Sequence, residues 1–168
     1  MSNIKICILS TSPSQDSVSR ATARVAEEIL NSMEGVSIDF IDLRETPIEL
    51  YPGTKSDPIK DDLVRRFKEA DGWVVAGAVF NAGPCAHLIN FFHYTLGSSV
   101  PKGRPFITIG GAGGSGSVYA YDSIGARIRR ECTAIEIGTP VISLGDTQKA
   151  RGFLEILLPM LVSIARLH

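Results

Sequence analysis

Short apolar runs alternate with amphipathic stretches along most of the chain. The first run is apolar at every position except Lys5, which is typical of a strand that is buried on both faces of a parallel sheet. Proline, glycine or clustered polar residues follow each run and end it. The runs predict five strands, at Ile4–Leu9, Val36–Leu43, Gly72–Val79, Pro105–Ile109 and Thr139–Leu144.

The stretches that follow the strands carry apolar residues at helical spacing. They predict five helices, at Val18–Ser32, Ile59–Ala70, Cys85–Leu96, Ser117–Glu131 and Arg151–Leu167. Ser17 or Ser19 is placed to cap the first helix, and Pro159 should bend the last. Alternating strands and helices predict an α/β fold with a parallel sheet, helices on both faces and right-handed crossovers.

Size and charge narrow the class of protein. A chain of 168 residues fits one domain over 1–168, and 44% hydrophobic residues suffice for a core. The net charge of -1 argues against a nucleic-acid surface. Three widely spaced cysteines suggest neither disulfides nor a metal site, and no run approaches the ~18 to 20 apolar residues of a membrane-spanning helix. We therefore expect a soluble cytoplasmic protein without metal or membrane association.

Ligands of such sheets bind beyond the carboxyl ends of the strands. The loop after the first strand carries six hydroxyl side chains within ten residues and leads into a helix. Hydroxyls, free amides and the helix dipole together favour a phosphate monoester. The alternative is an ordinary serine-rich cap and turn. The candidate phosphate ligands are Ser10, Ser12, Ser17, Val18 and Ser19.

Two later loops could hold a flat ring. The loop after the third strand has small residues that permit close backbone approach and amides for a ring's polar edge, although a plain turn is the alternative. Its candidate residues are Ala78, Val79, Phe80, Asn81, Ala82 and Gly83. The loop at 110–117 has five glycines, of which Gly111, Gly113 and Gly114 are candidate contacts. Its glycine spacing also fits a dinucleotide motif, but it follows the fourth strand and lacks the expected acidic partner.

These residues resemble the motifs of the NADPH-dependent FMN reductase family, flavodoxin-like enzymes that include quinone and azo-dye reductases. Ser12, Ser17 and Ser19 match the family's phosphate-binding positions, and Asn90 matches an asparagine in the helix after the second motif. The chain departs from the family at Ala78, where proline is usual, at Phe80, where tyrosine is usual, and at Ser14, where a basic residue is frequent. Arg20 is either a substitute for the missing charge or a surface cation.

The resemblance implies a five-stranded sheet of order 2-1-3-4-5 in a three-layer flavodoxin-like fold. It implies FMN as cofactor, NADPH or NADH as co-substrate, and a flavin, quinone or azo-type electron acceptor. It also implies a homodimer, with a tetramer as the alternative. Because the flavin carries the chemistry, no catalytic side chain is expected. The alternatives are a flavodoxin-like electron carrier and a non-redox binding protein that has lost tight flavin binding.

Several other residues invite a functional interpretation that their positions do not favour. Cys85 and His87 lie two apart and so do not share a helix face. His93 is expected in a core or an interface, and Trp73 in the core, where its indole N–H needs a buried acceptor. An aromatic near the glycine-rich loop could cover a flavin or pack across a dimer; the candidates are Tyr119 and Tyr121, beside Asp122.

Overall fold

A computed structural model describes residues 3–53, 57–81, 83–95, 101–112, 125–126, 128–130, 132–138, 141–143 and 147–168. Its strands are β1 Ile4–Ser10, β2 Val36–Asp42, β3 Gly72–Phe80, β4 Gly83–Pro84, β5 Pro105–Ala112, β6 Ile135–Gly138 and β7 Val141–Ser143. Its helices are α1 Val18–Asn31, α2 Pro58–Glu69, α3 Ala86–Thr95 and α4 Thr147–Ala165.

The strands form one sheet in the order β2-β1-β3-β5-β6. All neighbours along this path are parallel, while β4 pairs antiparallel with β3 and β7 pairs with β5 off the path. The register aligns Ser10 with both Asp42 and Ala76, and Ala78 with Gly111. The carboxyl ends of β1, β3 and β5 therefore meet at one edge of the sheet. The predicted class of fold is confirmed.

The described residues form seven strands, of which five lie along the main path of the sheet, but the last strand of that path is not the predicted one. Residues 135–138, which the prediction left outside any strand, form β6, and the predicted strand Thr139–Leu144 is described only at 141–143, where it forms β7. The pattern of β6 is weak because Ile135 is exposed while Glu136 and Ile137 are both half-buried, as on an edge strand. The hairpin strand β4 was also missed, because two residues carry no periodicity.

Two apolar clusters cover the two faces of the sheet. Cys7 and Leu9 of β1 point toward α2 and α3, where Phe67, Phe91 and Phe92 are buried. Ile6 and Ile8 point to the opposite face; their cluster includes Ala23, Ala26 and Leu30 of α1 and Leu154, Leu158 and Leu161 of α4. Alternate β1 residues thus enter different cores, which explains why this strand is apolar at every position that the sheet buries.

The helix ends largely agree with the sequence prediction. Ser17 is the N-cap of α1, where its side chain accepts a hydrogen bond from the Arg20 amide, and Asp57 caps α2 in the same way. The last helix begins at Thr147, four residues before its predicted start, and contains Pro159. Most of the predicted helix Ser117–Glu131 lies outside the described residues; backbone at 125–126 and 128–130 is helical. None of the helices in the described ranges is long and apolar enough to span a bilayer.

Trp73 lies in the core, as predicted. Its side chain is completely buried, and its ring stacks on Phe67 with 5.0 Å between centroids. The indole N–H donates a 2.7 Å hydrogen bond to the Phe67 carbonyl oxygen near the end of α2. That bond supplies the buried acceptor that the indole requires.

Candidate functional site

A cavity of about 200 Å³ opens at the carboxyl edge of the sheet. Three chain segments that are distant in sequence line it: the loop after β1, the end of β3 and the end of β5. The lining residues are Ser12, Ser14, Asp16, Ser17, Val18, Ser19, Ala78, Val79, Phe80 and Gly111. The loops that the sequence singled out therefore meet around one cavity, as parallel strands ending at one edge require.

The N-terminus of α1 supplies donors at this cavity. Of the first helical amides, that of Arg20 is bonded to the Ser17 hydroxyl, whereas no protein acceptor within the described residues receives the N–H of Val18 or Ser19. The Ser17 and Ser19 hydroxyls lie 3.0 Å apart and share one hydrogen bond. Two free amides beside hydroxyl groups, at the positive end of a helix dipole, are a donor set that fits a phosphate group.

Gly111 makes the closest approach between β5 and α1. A Cβ atom added there would lie 2.8 Å from the Ser19 backbone nitrogen and 3.2 Å from its Cα. Both distances are shorter than ordinary van der Waals contact, and both involve backbone that cannot rotate away. Glycine is required here because the strand passes directly against the first turn of the helix.

The end of β3 contributes the apolar wall. Phe80 is half-exposed, while Ala78 is nearly buried beneath it. The chain then turns back tightly, so that Phe80 pairs with Gly83 and Val79 with Pro84. Asn81 lies in this turn with φ of 51°, a left-handed conformation that asparagine tolerates better than most residues. The small and apolar wall fits a flat ring packed against backbone.

Arg20 is not the free surface cation that one sequence interpretation offered, and it does not belong to the cavity lining. Its guanidinium is bonded to the Asp42 carboxylate, with a shortest distance of 2.7 Å, and to the carbonyl oxygens of Ser12 and Ser14. Its side chain is only 13% exposed. The one carboxylate in the cavity lining, Asp16, is exposed.

Most of the described candidate residues line the cavity, and a few do not. Ser10 is completely buried and lies outside the lining, and its hydroxyl has no hydrogen-bond partner among the described residues. Asn81 and Gly83 belong to the hairpin turn and do not contribute to the lining. Ala82, Gly113 and Gly114 lie outside the described residues, as do Tyr119, Tyr121 and Asp122. Ser14 and Asp16 line the cavity but were not among the predicted ligands; the sequence motifs noted Ser14 only as a departure from the family and gave no signal for Asp16.

Residues of α3 serve the fold around the site. The Asn90 side chain donates to the Glu49 carbonyl and accepts from the Tyr51 amide, so it fastens the loop after β2. His93 is exposed and stacks on Tyr51 instead of lying in the core. Cys85 is buried, with its sulfur 3.3 Å from the Thr11 hydroxyl.

Solved structures share this architecture across nearly the whole chain. An oxidoreductase from Corynebacterium diphtheriae superposes with a TM-score of 0.81 at 18% identity, covering 99% of this chain and 100% of its own. An FMN-dependent NADH-azoreductase from Bacillus anthracis, solved in complex with FMN, gives 0.67 at 13% identity, covering 97% and 99%. A flavodoxin from the domain Archaea gives 0.66 at 17% identity, covering 95% and 99%. No curated protein sequence matches the chain significantly.

The fold defines an α/β protein of the flavodoxin-like class, and the start of α1 at the carboxyl edge of its sheet presents amide and hydroxyl donors. The family model for NADPH-dependent FMN reductase matches residues 4–146. The chain belongs to that family. It is accordingly a flavin-dependent oxidoreductase whose cofactor is FMN, and the resemblance noted in its sequence motifs is confirmed.

Proposed function

We propose that this protein is an NAD(P)H-dependent FMN reductase that binds the FMN phosphate at the N-terminus of α1 and the flavin ring against the end of β3. The observation that carries this proposal is the meeting of three loops around one cavity, where no acceptor in the described part of the chain engages two helical amides. The N–H groups of Val18 and Ser19 favour an anionic ligand, and the neighbouring hydroxyls add further donors.

The predicted ligands keep their proposed roles in this arrangement. Ser12, Ser17, Val18 and Ser19 would hold the phosphate, and Ser14 joins them because it shares the lining. Residues 78–80 and Gly111 would contact the ring or the chain that joins it to the phosphate. Ser10 is proposed to support the loop from below, since it is buried and lies outside the lining.

The protein contributes placement and shielding. FMN, when bound, supplies the hydride and electron transfer that no amino-acid side chain can perform. Phe80 would cover one part of the ring while its exposed half leaves room for a second planar molecule. Backbone amides of the β3 end would hydrogen-bond the polar edge of the ring. No side chain need transfer a proton, and the lining is mostly serines and apolar residues, with the exposed Asp16 as its one described carboxylate.

The finer assignments extend this proposal. We propose NADPH or NADH as hydride donor and a free flavin, a quinone or an azo compound as acceptor, supported by the family and by the likeness to an azoreductase. A single domain over 1–168 is supported by α4, which packs on α1 within the same core. A cytoplasmic protein is supported by three buried cysteines that form no disulfide. A homodimer is proposed from the family resemblance.

Purified protein supplied with FMN tests the function. We expect an absorption spectrum of bound flavin that is bleached by NADPH or NADH without air and restored by a quinone, an azo dye or free flavin. Comparing the two nicotinamides and the three acceptors on the same preparation then assigns both substrates. Failure of both nicotinamides to bleach the bound flavin would contradict the reductase assignment.

An electron carrier is the second candidate, favoured by the likeness to an archaeal flavodoxin. The near-neutral charge of the chain gives it little of the electrostatic attraction that a carrier uses to find partners. A carrier would bind FMN and form a long-lived semiquinone on chemical reduction, but would not oxidise a nicotinamide. A folded protein that binds no FMN at all would instead support the non-redox alternative.

A further inference from the structure

The Arg20 side chain joins three separate segments beside the cavity. It donates four hydrogen bonds: two to the Asp42 carboxylate at 2.7 and 3.1 Å, one to the Ser12 carbonyl and one to the Ser14 carbonyl, both at 3.1 Å. Four of the five N–H donors of the guanidinium are thus engaged by protein. They connect α1, the end of β2 and the loop after β1.

Asp42 is placed to anchor this connection. Its side chain is only 3% exposed, and one of its oxygens also accepts the Arg44 amide. Its carbonyl receives the amides of Glu45 and Thr46, so the turn after β2 closes on the same residue. The carboxylate is therefore held by its own strand and turn, and Arg20 transmits that rigid position to the loop.

The loop that receives these bonds is the one proposed to hold phosphate. Ser12 and Ser14 both line the cavity, and the Ser14 amide donates to the Ser12 hydroxyl within the loop. Fixing the two carbonyl oxygens toward Arg20 fixes the intervening peptide planes, so their N–H groups and hydroxyls keep one orientation. Hydrogen bonds to a charged donor are the strong ones, and a planar fork gives them a defined direction.

We propose that Arg20, paired with Asp42, is a positioning residue that shapes the phosphate loop and is not itself a ligand of the phosphate. The inference rests on the proposed FMN-binding function. The buried carboxylate neutralises the guanidinium, so within the described residues amides and hydroxyls hold the phosphate. Affinity for FMN should then change little with ionic strength, because the described cavity lining contains no lysine or arginine.

Two substitutions separate positioning from direct binding. If Arg20 were a direct ligand of the phosphate, D42N would release it from its carboxylate partner. FMN affinity would then rise and become strongly dependent on salt concentration. If Arg20 is a positioning residue, D42N would remove the carboxylate that anchors it. FMN affinity would then fall about tenfold, which is about 1.4 kcal/mol. R20K keeps the charge but offers a single ammonium in place of the fork, so positioning predicts a similar loss and direct binding predicts retained affinity.

Riboflavin is the comparison ligand because it has the ring without the phosphate. The positioning role predicts that D42N and R20K weaken FMN binding while riboflavin binding stays unchanged. Loss of both affinities in equal measure would overturn the proposal, because that pattern indicates general damage to the fold. R24K is the matched control: Arg24 lies one turn further along α1, half-exposed and paired with Glu27 at 2.8 Å. It should change neither affinity.

Hydrogen exchange without any flavin makes the test independent of the proposed function. Amides at 14–19 should exchange about tenfold faster in D42N and R20K than in the wild type, and at the wild-type rate in R24K. Unchanged exchange in both variants would overturn the positioning role. The wild-type protein could also fail to bind FMN while exchange is still faster in the two variants. That result would support the positioning of the loop by Arg20 and reject the FMN site. If D42N does not fold, R20K carries the same comparison.

Discussion

Replacing Gly111 by alanine tests whether the contact between β5 and α1 shapes the site. The added Cβ would lie 2.8 Å from the Ser19 nitrogen and 3.0 Å from its Cβ, while ordinary contacts begin near 3.4 Å. Strand and helix must therefore separate by about 0.5 Å, a strain that costs about 1–3 kcal/mol in a packed core. A shift of that size lengthens hydrogen bonds from the first helical amides to a phosphate. We expect FMN affinity to fall about tenfold or more.

Gly152→Ala is the control for this substitution. Gly152 lies on α4, and a Cβ there meets nothing within 4 Å. Since alanine is the better helix former, this variant should gain about 0.5–1 kcal/mol and bind FMN normally. Urea unfolding gives the two stabilities, and calorimetric titration with FMN gives the affinities. A G111A protein with wild-type stability and wild-type affinity would refute the close-contact explanation.

Three further changes address single interactions. Trp73→Phe leaves the buried Phe67 carbonyl without its indole donor and also opens a cavity in the core. It should therefore cost at least about 1–3 kcal/mol in urea unfolding, and a smaller loss would show the bond to be dispensable. Ser17→Ala removes the cap of α1 and should cost about 1 kcal/mol together with FMN affinity, so an unaffected titration would count against the site. Partial burial would raise the pKa of Asp39, but the hydrogen bonds and charges of Arg66 and Lys5 together outweigh it and hold that pKa below its ordinary value. The stability that this pairing contributes is complete above the ordinary aspartate pKa and is lost as pH falls through the lowered pKa. Asp39→Asn should therefore make the free energy of unfolding less dependent on acid pH. An identical pH profile in the variant and the wild type would contradict this pairing.

The periodic parts of the fold could be predicted because periodicity reports burial directly. Strand β1 was predicted to within one residue, since it is buried on both faces and ends where hydroxyl residues begin. Strand β6 could not be recognised, because an edge strand shows neither a continuous apolar run nor a clean alternation. Ser10 continues the alternation of Ile6 and Ile8 along β1. The strand pattern therefore predicts that Ser10 is buried on the face of the sheet that α1 covers.

The phosphate loop could be located from its density of hydroxyls, but the role of Arg20 could not. Its partner Asp42 is 22 positions away, and only the pairing of β2 with β1 brings the end of that strand beside α1. In the same way, the five glycines at 110–117 indicated that the loop backbone passes close to a neighbour, but they did not identify that neighbour. The structure shows that Gly111 lies against the Ser19 backbone.

The most direct test of the account is a calorimetric titration of the purified protein with FMN and with riboflavin under identical conditions. A phosphate site at the start of α1 predicts saturable binding of one FMN per chain. Riboflavin should bind distinctly more weakly, because it lacks the phosphate group that the amides of Val18 and Ser19 would bind. Equal affinities for the two flavins, or no binding of either by the folded protein, would contradict a phosphate site at the start of α1.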